Sequence, residues 1–148
     1  MTYKELIQMP ALEFNLEVMA NVKSELVGSR FFGTDSDFSD YDYLIQPTKG
    51  FYKIIKKLEK EGKTFNINEY ADFKNLLCSS VYILNVETYG QVHLILSNEF
   101  ELYYNCFSVA KNTNLFKVLP KQYAMPYFNA FCNVKYYEKV LNKPILSV

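Results

Sequence analysis

Val27-Gly28-Ser29-Arg30-Phe31-Phe32-Gly33-Thr34-Asp35-Ser36-Asp37-Phe38-Ser39-Asp40-Tyr41-Asp42-Tyr43-Leu44-Ile45 gathers most of the reactive chemistry of this 148-residue chain. Four of its five aspartates and two of its five glycines lie there, together with Arg30, the one arginine against fifteen lysines. The stretch reads as a short strand, Glu25-Leu26-Val27, ended by Gly28-Ser29. An irregular loop over Arg30–Ser39 and a second strand over Asp40–Gln46 follow. Side chains alternate faces along a strand, so Asp40 and Asp42 project to one side about 7 Å apart. Hard carboxylate oxygens placed in this way suit one or two divalent cations, Mg2+ or Mn2+. Gly28 lets an anion approach the backbone, and the Ser29 hydroxyl and neighbouring N–H groups can hold phosphate oxygens.

Outward from this segment the pattern is mixed. Leu12, Leu16, Met19 and Val22 recur at helical spacing and predict an amphipathic helix over Ala11–Ser24, with Pro10 tolerated near its first turn. Pro47-Thr48 breaks the second strand. Phe51, Ile54, Ile55 and Leu58 mark another helix, with Lys53, Lys56, Lys57 and Lys60 on its outer face and Gly62 placed to cap it. Thr64–Ile67 reads as a short strand and Asn68–Leu76 as irregular.

Val81–Glu87 and Gln91–Ser97 form a hairpin. A three-residue Thr88-Tyr89-Gly90 loop, with glycine in the left-handed position, pairs Val86 with Val92. Leu84, Val86, Val92 and Leu94 then share one face, and Asn85, Glu87, Gln91 and His93 the other. Asn98–Leu119 and Gln122–Leu141 are helical and aromatic-rich, separated by Pro120. The fold class is α+β: a small mixed twisted sheet flanked by helices, with a helical C-terminal third. The chain reads as a single domain over 1–148, with a core at about 11–97 and C-terminal helices at about 98–141.

Composition narrows the function classes. The chain is 49% hydrophobic and 22% charged, which excludes intrinsic disorder. Sixteen basic and sixteen acidic residues cancel, so non-specific coating of nucleic acid is not expected, and an RNA end as acceptor draws no support from charge. Cys78, Cys106 and Cys132 are odd in number and lack metal-ligand spacing, as suits reduced thiols in a cytoplasmic protein. No apolar run reaches membrane-spanning length, so no membrane partner is expected. The Asn-, Lys-, Tyr- and Phe-rich usage is that of an AT-rich genome, as in a phage or a low-GC bacterium.

Gly28-Ser29 with Gly33, followed by Ser39, Asp40 and Asp42 on the next strand, resembles the signature of the DNA polymerase beta-like nucleotidyltransferase superfamily, particularly its small members. The direct match covers about eighteen residues, and the order of elements extends it loosely to about residue 97. The resemblance implies that Asp40 and Asp42 are metal ligands. It implies that Gly28, Ser29, Arg30 and Ser39 line a nucleoside triphosphate site, and that a nucleoside monophosphate moves to an acceptor hydroxyl with release of pyrophosphate. The family supplies a third carboxylate from a later strand. Here Gln91-Val92-His93-Leu94-Ile95-Leu96 puts His93, the only histidine, at that place. An imidazole accepts protons but brings no negative charge to balance two cations. Phe32 also stands where the family has an arginine.

Two functions therefore remain open. One is a metal-dependent nucleotidyltransferase in which Asp40, Asp42 and His93, or Glu87 in place of His93, are catalytic. The other is an inactive relative that binds a nucleotide or a protein partner as an inhibitor, antitoxin-like or regulatory module. The lysine stripe and Asp35 and Asp37 read as solvated surface. Most C-terminal aromatics read as core, with Tyr103, Tyr123 and Tyr137 as the surplus that marks a partner surface.

Overall fold

In the computed structural model the described residues are 22–37, 39–62, 64–66, 75–86 and 90–145. Their elements run β1 (Lys23–Val27), α1 (Ser29–Phe32), β2 (Tyr41–Gln46), α2 (Lys49–Lys60), β3 (Thr64–Asn66), β4 (Ser80–Val86), β5 (Gly90–Leu96), α3 (Phe100–Asn112), α4 (Leu115–Val118) and α5 (Lys121–Leu141). The strands form one mixed sheet in the order β1-β2-β5-β4-β3. Only the β2–β5 pairing is parallel.

The expected α+β architecture is present, with a helical layer on each face. Tyr43, Leu44 and Ile45 in β2 are fully buried, as a central strand covered on both sides requires. On one face Tyr41, Tyr43 and Ile45 meet Phe51, Ile55 and Leu58 of α2, whose periodicity the sequence displays. The Thr48 hydroxyl caps that helix by accepting from the Phe51 N–H at 3.1 Å. Gly62 follows its last turn at φ +72°, as expected of a glycine there.

The opposite face belongs to α3 and α5. Val27 and Leu44 pack there with Phe100, Tyr103, Phe107, Phe128 and Cys132. The inner helical layer is aromatic: Phe107 and Phe128 lie 4.8 Å apart, and Phe32 stacks on Phe116 at 4.3 Å. Asn75 donates to Asn129 at 2.9 Å, and the Leu76 N–H donates to Asn133 at 2.8 Å, so α5 also holds the approach to β4. All three cysteines are free thiols. No described helix is long and apolar enough to cross a membrane.

Five expectations need correction. β1 begins at Lys23, so Ser24 lies in a strand, because Lys23 and Ser24 pair with Gln46 and Ile45; the body of the expected Ala11–Ser24 helix lies outside the described residues. Ser29–Phe32 forms one helical turn, not loop, closed by Phe31 and Phe32 N–H bonds to the Gly28 carbonyl, both 3.0 Å. The hairpin pairs Val86 with Gly90, placing glycine inside the ladder. The shift is of two residues, so Val92 and Leu94 stay on the face opposite to His93, as expected, and Tyr82, Leu94 and Leu96 are buried. The helix expected over Asn98–Leu119 breaks after Asn112, where the Thr113 hydroxyl bonds back to the Val109 carbonyl and Asn114 turns left-handed. Tyr103 is buried against Phe107 and Phe128, not part of a partner surface.

Phe128 is the aromatic hub of this layer, touching Phe32, Tyr103, Phe107 and Phe116. Phe128→Ala is expected to cost about 3–5 kcal/mol in denaturant-induced unfolding, because neighbouring rings on several elements cannot all collapse into the void.

Candidate functional site

β2 and β5 run side by side with Asp42 directly across from His93. Residues paired across a sheet share a face, so this register alone brings the imidazole to the carboxylate. His93 Nδ1 lies 3.2 Å from Asp42 Oδ1, and its Nε2 lies 3.6 Å from Asp40 Oδ2. The ring thus stands between the two acids. The His93 and Asp42 side chains are 14% and 20% exposed, whereas Asp40 reaches solvent at 44%.

Burial is the largest single influence on His93 and by itself would lower its pKa from the ordinary 6.5. The hydrogen bond and charge of Asp42, followed by the charge of Asp40, outweigh it, so the net shift is upward. Lys121 opposes part of that rise. The group between the acids is therefore an imidazolium over a wider pH range than a free histidine would be.

Gly28 closes the other side of the pair. Its φ of +73° and ψ of −156° define a conformation that is essentially restricted to glycine. A Cβ there would sit 2.1 Å from Asp42 Oδ2, so the backbone and the carboxylate approach as closely as they do only because the side chain is missing. Ser29 opens the helical turn beside it, and Gly33 ends that turn in the left-handed region with its N–H bonded to the Ser29 carbonyl. Phe32, standing where an arginine was expected, is a buried anchor that ties the Gly-Ser turn to the C-terminal helices.

Arg30 and Ser39 shape the intervening loop. The guanidinium lies 3.8 Å from the centre of the Tyr41 ring, donates to the Ser39 carbonyl at 2.8 Å and faces Asp35 at 3.4 Å. The Ser39 hydroxyl accepts from the Ser36 N–H at 2.8 Å. Both residues hold Asp40 beside the sheet, and Asp35 serves the loop rather than the acid pair. Glu87, the other candidate for the third acid, lies outside the described residues.

Two cations escaped the sequence reading. Lys117 in α4 puts its Nζ 3.4 Å from where a Cβ of Gly33 would stand, and Lys121 at the start of α5 acts on His93. Nothing local in the sequence separates these two from the other lysines. Their position follows from packing α4 and α5 against Phe32.

The implied metal can be tested against this arrangement. Among the described residues no three histidine, cysteine, aspartate or glutamate side chains converge as a metal cage. The imidazole stands between Asp40 and Asp42, and when protonated it brings positive charge to the place a metal would take. As arranged, with an imidazole between the two carboxylates, the residues do not present the open carboxylate pair that the expected Mg2+ or Mn2+ would need.

No family model matches the chain, and no curated protein does. Among solved structures it is similar to a cytoplasmic RNA terminal U-transferase, with 13% identity and a TM-score of 0.38 over 83% of this chain and 33% of the other. The chain thus spans about a third of the length of that protein.

Three outcomes are expected from this geometry. The His93 ring signals, followed by NMR, should titrate with a midpoint above 6.5, moving down in Asp42→Asn. Because the folded pKa is raised, the stability His93 contributes is fully present below 6.5 and is lost as pH rises through the folded value. Unfolding of the native protein compared with His93→Gln should therefore differ most on the acid side. Gly28→Ala should cost at least about 2 kcal/mol in urea unfolding, from backbone strain plus displacement of Asp42, and should lower the His93 midpoint as well.

Proposed function

We propose that the chain is a nucleotidyltransferase-type domain that binds a nucleoside triphosphate without transferring its nucleotide, and so acts by binding, as a regulatory or inhibitory module. The observation that carries this reading is the His93 imidazole seated between Asp40 and Asp42. Where the superfamily resemblance calls for a third acid, the chain has a base that takes on positive charge. A transferase of that type needs concentrated negative charge to hold its cations, and the imidazolium cancels part of it.

What the site retains suits an anion. Ser29 offers a hydroxyl at the turn, Lys117 brings its Nζ to Gly33, and the charge of Lys121 acts on His93. Together with His93 they give a triphosphate three cationic neighbours of the protein's own. Asp42, pressed against Gly28, then fixes the shape of the turn. A protein partner is the natural target of such a module, its affinity set by whether nucleotide is bound.

The test combines binding and transfer. ATP, GTP, CTP and UTP are titrated in EDTA and in Mg2+ or Mn2+, and labelled nucleotides are incubated with the protein and cell extract. Binding of at least one triphosphate, equal in EDTA and in metal and without label transfer, is the expected result. His93→Asp should weaken binding in EDTA by on the order of tenfold, about 1.4 kcal/mol, and should make it depend on metal. Label transfer lost in Asp40→Asn with Asp42→Asn would overturn the proposal in favour of an active enzyme that uses the exposed Asp40 side of the cluster. Failure to bind any triphosphate would overturn the nucleotide reading altogether.

A further inference from the structure

The outward face of α5 is apolar along its whole length. Tyr123, Tyr127, Ala130, Val134, Tyr137 and Leu141 follow one another at spacings of four, three, four, three and four, the repeat that keeps one seam along a helix facing a partner helix. The seam contains no charged residue. Tyr123, Tyr127, Tyr137 and Leu141 are 57%, 66%, 48% and 53% exposed, and the inner face of the same helix is already used by Ala124, Phe128 and Cys132 in the core. At 1.5 Å per residue the seam is about 28 Å long.

We propose that this seam pairs with the same seam of a second copy of the chain, the two helices antiparallel. Antiparallel pairing sets Ala130 against the partner copy's position 134 at the centre, where small side chains allow close approach. It sets Tyr127 against position 137 and Tyr123 against position 141 toward the ends. The seam is thus complementary to itself, small at the middle and large at both ends. Its flanking charges do not oppose the contact: Lys135 pairs with Glu138 at 3.4 Å, and Lys139 pairs with Glu99, each within its own copy.

The area is sufficient for a modest dimer. With tyrosine worth roughly 200 Å² when fully covered, the exposed portions of the seam and the adjacent Val140 amount to about 500 Å² per copy. A pair then buries about 1,000 Å², the lower edge of specific interfaces. A patch of this size matches the largest apolar patch of a typical monomer, and such patches are often functional. The dissociation constant should therefore fall on the order of 10 µM, so the dimer is concentration-dependent.

Sedimentation velocity of the full chain from about 1 to 200 µM tests this range, which brackets the expected constant. A reversible monomer–dimer equilibrium is expected. Tyr127→Lys with Tyr137→Lys should leave helix content by circular dichroism unchanged and weaken association at least tenfold, since both positions are exposed in the single copy. Ala130→Cys with Val134→Cys should form an intermolecular disulfide on oxidation, while either substitution alone should form far less. A monomer at every concentration would overturn the proposal, including one whose seam is covered by a different protein in cell extract. So would a dimer insensitive to the two lysines, or one linked as well by a single cysteine as by the pair.

Discussion

Parallel pairing of Tyr41–Ile45 with Val92–Leu96 is the constraint on which the candidate site depends. A parallel neighbour cannot be reached by a tight turn, so the chain between β2 and β5 must travel through α2, β3 and β4 before it returns. The return delivers His93 to the position across from Asp42. Burial of Tyr43, Leu44, Ile45, Leu94 and Leu96 holds that register, because a slip by one residue would turn fully buried apolar side chains to the wrong face. The polar contact therefore rests on apolar packing and would be lost with it.

Charge explains why the arrangement is tolerable. Two carboxylates beside a Gly-Ser turn repel one another and any phosphate that approaches. Placing an imidazolium between them removes part of that penalty from within the protein, and lysines on separate C-terminal elements offset more. The same helices that cover the sheet thus complete the electrostatics of its rim. Phe32 links the two tasks, since it belongs to the Gly-Ser turn and to the aromatic layer at once.

Much of this was legible because it is local or periodic. The Gly-Ser turn, the Asp40 and Asp42 alternation, the α2 helix and the placement of His93 on the later hairpin could all be read from spacing. The hairpin register moved by two residues, yet Val92, His93 and Leu94 kept their expected faces because strand parity survives an even shift. Three things were hidden. The single helical turn at Ser29–Phe32 is too short for a periodic signal, and the break at Asn114 depends on a left-handed residue within an otherwise helical pattern. Lys117 and Lys121 acquire meaning only through tertiary packing.

The separation between Asp42 and His93 also has a temporal side. During synthesis β2 leaves the ribosome some fifty residues ahead of the strand that completes its pairing, at roughly 5–20 residues per second. Until then the acid pair stands without its cationic neighbour, and the long loop must close before the pairing returns any free energy. A nascent chain shorter than β5 consequently lacks the centre altogether. The contact between Asp42 and His93 can form only after the sheet has closed, so it is a mark of the finished chain and not a guide to its assembly.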